Sequence, residues 1–150
     1  MNVSAHGLAV EVPDGWESRI YRRPLDPKEP DTRFPIVHAA NFALPPDPGD
    51  FGSGAVRVMG AGGVFIALLE YGPVYRGQRT FRVMQTPPRL EEVDFAYNTV
   101  QVFVPGQLGH QQFFEFKSRT FCLYVVVASL DTIGAVLPVV NDLVGSLSVT

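Results

Sequence analysis

Apolar and polar positions alternate along Leu8-Ala9-Val10-Glu11-Val12, the period of a strand with one buried face. The run meets Pro13-Asp14-Gly15, whose turn chemistry reverses the chain into residues 16–21, so the pattern predicts an opening hairpin. Residues 24–35 hold four prolines and five charges, too many missing amide donors for a regular element, and predict an exposed loop. A strand over 36–42 stops before Pro45-Pro46-Asp47-Pro48-Gly49. Asp50 or Ser53 can then cap a short helix reaching Val58 or Met59, which Gly60-Ala61-Gly62-Gly63 ends. Residues 64–71 follow as an apolar strand closed by Gly72-Pro73, and 80–84 and 99–104 suit short strands. Aromatic and β-branched residues fill 111–117 and 120–128, with Ser118-Arg119 as the expected tight turn of a hairpin. Ile133, Val136, Leu137, Val140, Leu143, Val144 and Leu147 recur at helical spacing, which predicts a closing helix over about 132–146. Asp131 or Thr132 would cap it, Pro138 lies inside it, and Gly145 stands near its end.

The two best strand candidates, 64–69 and 121–128, are apolar on both parities, so both faces of the central strands need cover. The economical fold is a single α+β domain over 1–150. Its twisted, mostly antiparallel sheet carries the C-terminal helix on one face and the short helix plus loops on the other.

Composition narrows the function classes. With 46% hydrophobic and 18% charged residues the chain is expected to fold, and 150 residues bury one core without disulfides or a structural metal. A net charge of −3 argues against a nucleic-acid partner, and the densest basic stretch, Arg76-Gly77-Gln78-Arg79-Thr80-Phe81-Arg82, reads as a solvated segment. Cys122 is the only cysteine and sits in an apolar run, so it reads as a small core residue and not as a nucleophile. Met1-Asn2-Val3-Ser4-Ala5-His6 is too polar for a signal peptide, and the run 123–130 is too short to span a membrane, so cytoplasmic residence is expected.

The apolar opening strand, Pro13-Asp14-Gly15-Trp16, the later strand pair and the terminal Val140-Asn141-Asp142-Leu143-Val144-Gly145-Ser146-Leu147 together resemble the α/β/α sandwich of the PsbP-like superfamily. That superfamily includes a photosystem extrinsic subunit, a Ran-binding nuclear import factor and mycobacterial lipoproteins. Leu68-Leu69-Glu70-Tyr71-Gly72 and Arg119-Thr120-Phe121-Cys122-Leu123-Tyr124-Val125-Val126 further resemble uncharacterised proteins of high-GC actinobacteria. The resemblance implies a binding or assembly module, and it carries no active site across.

Candidate chemistry is sparse. His6, His38 and His110 show no metal-ligand spacing, and no metal or cofactor is expected. His38 reads as a core histidine hydrogen-bonded to a backbone group or to Glu70, or, if Glu70 lies on the neighbouring strand, as part of the acid/base machinery of a small hydrolase with Glu70 and His110. Asp50-Phe51-Gly52, Gly52-Ser53-Gly54 and Gly60-Ala61-Gly62-Gly63 lack the contexts that give kinase, hydrolase or phosphate-binding motifs their chemistry. Trp16, Tyr71 and Tyr75 lie near strand ends, and Phe113 lies in the aromatic hairpin; these four are the candidate binding residues. The leading expectation is a non-catalytic module that binds a protein partner or itself. An enzyme using His38, Glu70 and His110 is one alternative, and an apolar-ligand pocket between sheet and helix is another.

Overall fold

A computed structural model describes residues 1–31 and 33–150; Thr32, part of the proline-rich loop expected over 24–35, lies outside the described residues. The strands are β1 (Asn2–Ala5), β2 (Leu8–Glu11), β3 (Glu17–Tyr21), β4 (Ile36–Ala40), β5 (Val64–Glu70), β6 (Arg82–Val83), β7 (Leu108–Phe116), β8 (Arg119–Val127) and β9 (Ser148–Val149). The helices are α1 (Ser53–Val58) and α2 (Leu130–Gly145). The main sheet runs in the order β3-β4-β5-β8-β7-β6, antiparallel throughout except for the β6–β7 pair.

The two runs apolar on both parities are the central strands. Ile66, Leu68, Leu123 and Val125 point to the side of α2, whereas Phe65, Ala67, Leu69, Tyr124 and Val126 point to the side of α1. Each large apolar side chain so buried stabilises the fold by about 1.5–3 kcal/mol, which is why two covering layers form. Helix α2 buries Ile133, Val140, Leu143 and Val144 and runs on through Pro138. Its packed stripe outweighs the roughly 3 kcal/mol that a proline costs inside a helix.

The opening hairpin expected between 8–12 and 16–21 does not form. β2 pairs with β1 on one side and β9 on the other, making a separate three-stranded sheet, while β3 pairs with β4. The turn joining β1 to β2 is His6-Gly7, both at positive φ. Leu8, Val10 and Val12 then cover the β4–β5 end of the main sheet alongside α2.

Other boundaries also shift. The β7–β8 turn uses Lys117 and Ser118, both at positive φ, so Arg119 is already the first residue of β8. Gly52, not Asp50 or Ser53, stands at the N-cap of α1, and Ser129 precedes α2, which starts two residues before its expected onset. Only Arg82–Val83 of 80–84 is strand, and residues 99–104 form none; Val102 and Val104 instead pack over the α1 face.

Candidate functional site

Register decides which candidate side chains can meet. His38 is opposite Ala67, so it lies on the α1 face, while Glu70, three residues further along β5, lies on the α2 face. His110 is opposite Val125 and also faces α2. The structure therefore separates His38 from Glu70 and His110 by the thickness of the sheet.

Each of the three is engaged elsewhere. His38 is fully buried, with Nε2 2.8 Å from the Asp50 carbonyl and its ring edge-on to Tyr21 and Phe65. A carbonyl only accepts, so Nε2 carries a proton; burial lowers the ring's pKa below the usual histidine value, which favours the neutral form. Nδ1 is then a buried acceptor without a partner among the described residues. The Glu70 carboxylate is gripped by the Arg119 guanidinium. His110 lies between the Asp94 carbonyl at 3.1 Å and Gln112 Oε1 at 3.0 Å.

The aromatic candidates converge instead. Tyr71, Tyr75 and Phe113 come from the end of β5, a 3₁₀ turn at Pro73–Tyr75 and β7, and they meet in one cluster on the α1 face together with Phe81. Ring centroids lie 5.4–5.7 Å apart in edge-on or tilted arrangements, the geometry that ring quadrupoles favour. Three contacts pin segment 71–81 there: Thr120 Oγ1 donates to the Gly72 carbonyl at 2.7 Å, the Tyr71 amide donates to the Thr120 carbonyl, and Glu115 accepts from the Gly77 amide. Gly72, at φ 97°, sits against the Phe34 ring where a Cβ would collide. Trp16 stands apart, packed against the helix-side core beside a separate cleft of about 300 Å³.

Phe81 is 4% exposed, whereas Val74, Tyr75 and Val83 at the rim are 77%, 36% and 58% exposed. Val83 shares its face with Glu115 by register, and Glu115 also pairs with Arg76 at 3.8 Å. Beneath it lie Cys122, whose thiol burial pushes up to about 11, and Gln111, which donates to the sulfur at 3.5 Å. An inert thiol follows.

Beside the cluster opens a cleft of about 250 Å³ bordered by Arg23, Phe34, Ile36, Leu69, Glu70, Tyr71 and Tyr75. Arg23 is its shared wall with a second cleft of about 260 Å³ that Tyr21 and Asp50 also line. Arg23 Nε donates to Asp50 Oδ2 at 2.6 Å, and Tyr21 donates its hydroxyl to Asp50 Oδ1 at 2.8 Å. Burial, followed by that bond to a carboxylate, raises the Tyr21 pKa, so the phenol keeps its proton. Phe34, Phe81 and Arg23 were not among the sequence candidates. Phe81 could have been found as the aromatic inside the basic stretch, but Arg23 and Phe34 flank a proline-rich segment whose path local pattern does not predict.

Between sheet and α2, where a ligand pocket was the alternative, the gap among Val10, Ile66, Leu123 and Leu143 is about 10 Å³. That is barely the space of one water molecule, so the interior there is packed. Among the described residues no group of three or more His, Cys, Asp or Glu is placed to hold a metal ion, and no helix is long and apolar enough to cross a membrane. Compared with protein-family models, curated proteins and solved structures, the chain matches none.

Proposed function

We propose that this protein is a non-catalytic binding module whose contact surface is the aromatic cluster of Tyr71, Tyr75, Phe81 and Phe113 with its exposed rim. The observation that carries the reading is the convergence of those rings, with Tyr75 partly exposed and its neighbour Val74 exposed, beside an open cleft. Exposed apolar surface of this kind costs solvation free energy in isolation, and buried aromatics at its centre are the residues that dominate protein interfaces. The separation of His38 from Glu70 and His110 argues in the same direction, because that acid/base set does not meet. The resemblance to PsbP-like proteins, which act mostly as binding or assembly modules, also supports it.

The partner is a polypeptide, either a second protein or another copy of this chain. Affinity capture from source cells with the wild-type chain and with Tyr75→Ala, coupled to light scattering on the purified protein, tests this. A partner band or a dimer mass that the variant loses while keeping its fold is the expected result. Capture unchanged in Tyr75→Ala, or a monomer that retains no partner, contradicts it.

A further inference from the structure

We propose that the cleft walled by Arg23 is a carboxylate-recognition site, taking an acidic group carried beside an apolar or aromatic one. The inference rests on the binding reading above and names the chemistry that surface selects.

A guanidinium presents five N–H donors in a fixed planar fork. In Arg23 only Nε is committed among the described residues, to Asp50 Oδ2 at 2.6 Å. The other oxygen of Asp50 accepts from the Tyr21 hydroxyl at 2.8 Å. The Nε bond to Asp50 restrains the guanidinium, and neither Nη has a partner among the described residues; that edge binds a carboxylate through two parallel hydrogen bonds. Asp50 is thus a positioning residue. The same cleft is bordered by Phe34, Tyr71 and Tyr75 together with Ile36, Leu69 and Glu70, whose carboxylate is held by Arg119. Neither the Tyr71 nor the Tyr75 hydroxyl has a hydrogen-bond partner among the described residues, so both are free to reach a ligand.

Size and charge limit the ligand. About 250 Å³ fits one side chain or a small acid and lies below the usual span of pockets for larger molecules. A phosphate dianion calls for more than one cation, and among the described residues bordering this cleft Arg23 is the only one. Arg33 is held by Asp31 and the Arg23 carbonyl, and Arg19 donates to the Leu44 carbonyl. One free fork suits a planar monoanion.

The carboxylate has two possible sources, a free small acid or a polypeptide, and one titration separates them. N-acetylphenylalanine, its carboxamide, a short peptide ending in phenylalanine with a free carboxylate, and inorganic phosphate are each added to ¹⁵N-labelled protein near neutral pH. The Arg23 Nε–H and the Tyr71 and Tyr75 amides are followed. Both carboxylates should shift these signals at millimolar concentration, with the carboxamide weaker by about tenfold or more. Arg23→Gln should lose the response, and Arg23→Lys, which keeps the charge without the fork, should retain only part of it. Tighter binding of the peptide identifies a polypeptide source, and tighter binding of the free acid a small molecule. Equal response to acid and carboxamide, stronger binding of phosphate, shifts centred elsewhere or no shift from either carboxylate overturns the proposal. If the carboxylate response fails while a Tyr75-dependent complex persists, only the chemistry is refuted; a carboxylate response without any such complex refutes only the binding reading.

Discussion

Arg119 at the start of β8 and Glu70 at the end of β5 meet through both carboxylate oxygens, with Arg119 Nε donating to Glu70 Oε2 at 3.0 Å. The same guanidinium donates to the carbonyls of His6 and Gly7 at 3.2 Å each, so one arginine ties the small sheet to the main one. The side chains are 20% and 6% exposed, which makes this a largely desolvated pair. Removing one partner leaves the other charge buried, and Arg119→Met should lower stability by about 2–4 kcal/mol, read from urea denaturation. The double variant Glu70→Leu/Arg119→Met should recover part of that loss. Equal stability of the single variant and the wild type would count against the buried-pair account.

His38 makes stability depend on pH with a definite sign. Its folded pKa lies below the usual 6.5, chiefly through burial, so on acidification the unfolded chain takes up a proton that the folded chain refuses. Stability is therefore full above about 6.5 and falls as the pH drops from there toward the folded value. His38→Gln, which can still donate to the Asp50 carbonyl, should flatten the slope of the urea midpoint between about pH 5.5 and 7.5. An unchanged slope in the variant means that another group titrates.

Gly52 adopts φ 76° with the buried Phe65 ring against it, so a methyl group there meets both backbone strain and a ring that cannot retreat. Gly52→Ala should cost about 2–4 kcal/mol in thermal or chemical unfolding, the sum of a positive-φ penalty and overpacking. A cost within experimental error would show that the loop before α1 is free to move.

Within the aromatic cluster, burial separates folding from binding. Phe81 is 4% exposed, and Phe81→Ala should cost about 3–5 kcal/mol by opening a cavity. Tyr75 is 36% exposed, and Tyr75→Ala should cost about 1 kcal/mol or less while removing partner capture. Melting curves and capture assays on the two variants check this split.

The central strands, the β7–β8 hairpin and the closing helix were legible in the chain because each is set by nearby residues: two-sided apolar runs, aromatic and β-branched content, and helical spacing. The placement of β2 was not. Pro13-Asp14-Gly15 signals a reversal, but a reversal does not dictate pairing, and β2 is instead held by Asn2–Ala5 and by Ser148–Val149 from the far end of the chain. β6 was equally hidden, since two residues parallel to β7 leave no local pattern. The site was half legible. Tyr71, Tyr75 and Phe113 stood out as large aromatics at element ends, whereas the roles of Arg23 and Phe34 depend on a return of the chain across the sheet that no local spacing records. The His38–Glu70 pairing failed by parity: a three-residue offset between neighbouring strands puts two side chains on opposite faces.

The binding claim is tested most directly by a photo-crosslinking amino acid placed at Tyr75, with the same residue at Leu130 as the control. Both positions are solvent-exposed, but Leu130 lies beyond the opposite end of β8. The account predicts a discrete crosslinked product in source cells from position 75 and none from position 130. Equal crosslinking from both positions, or none from position 75, contradicts it.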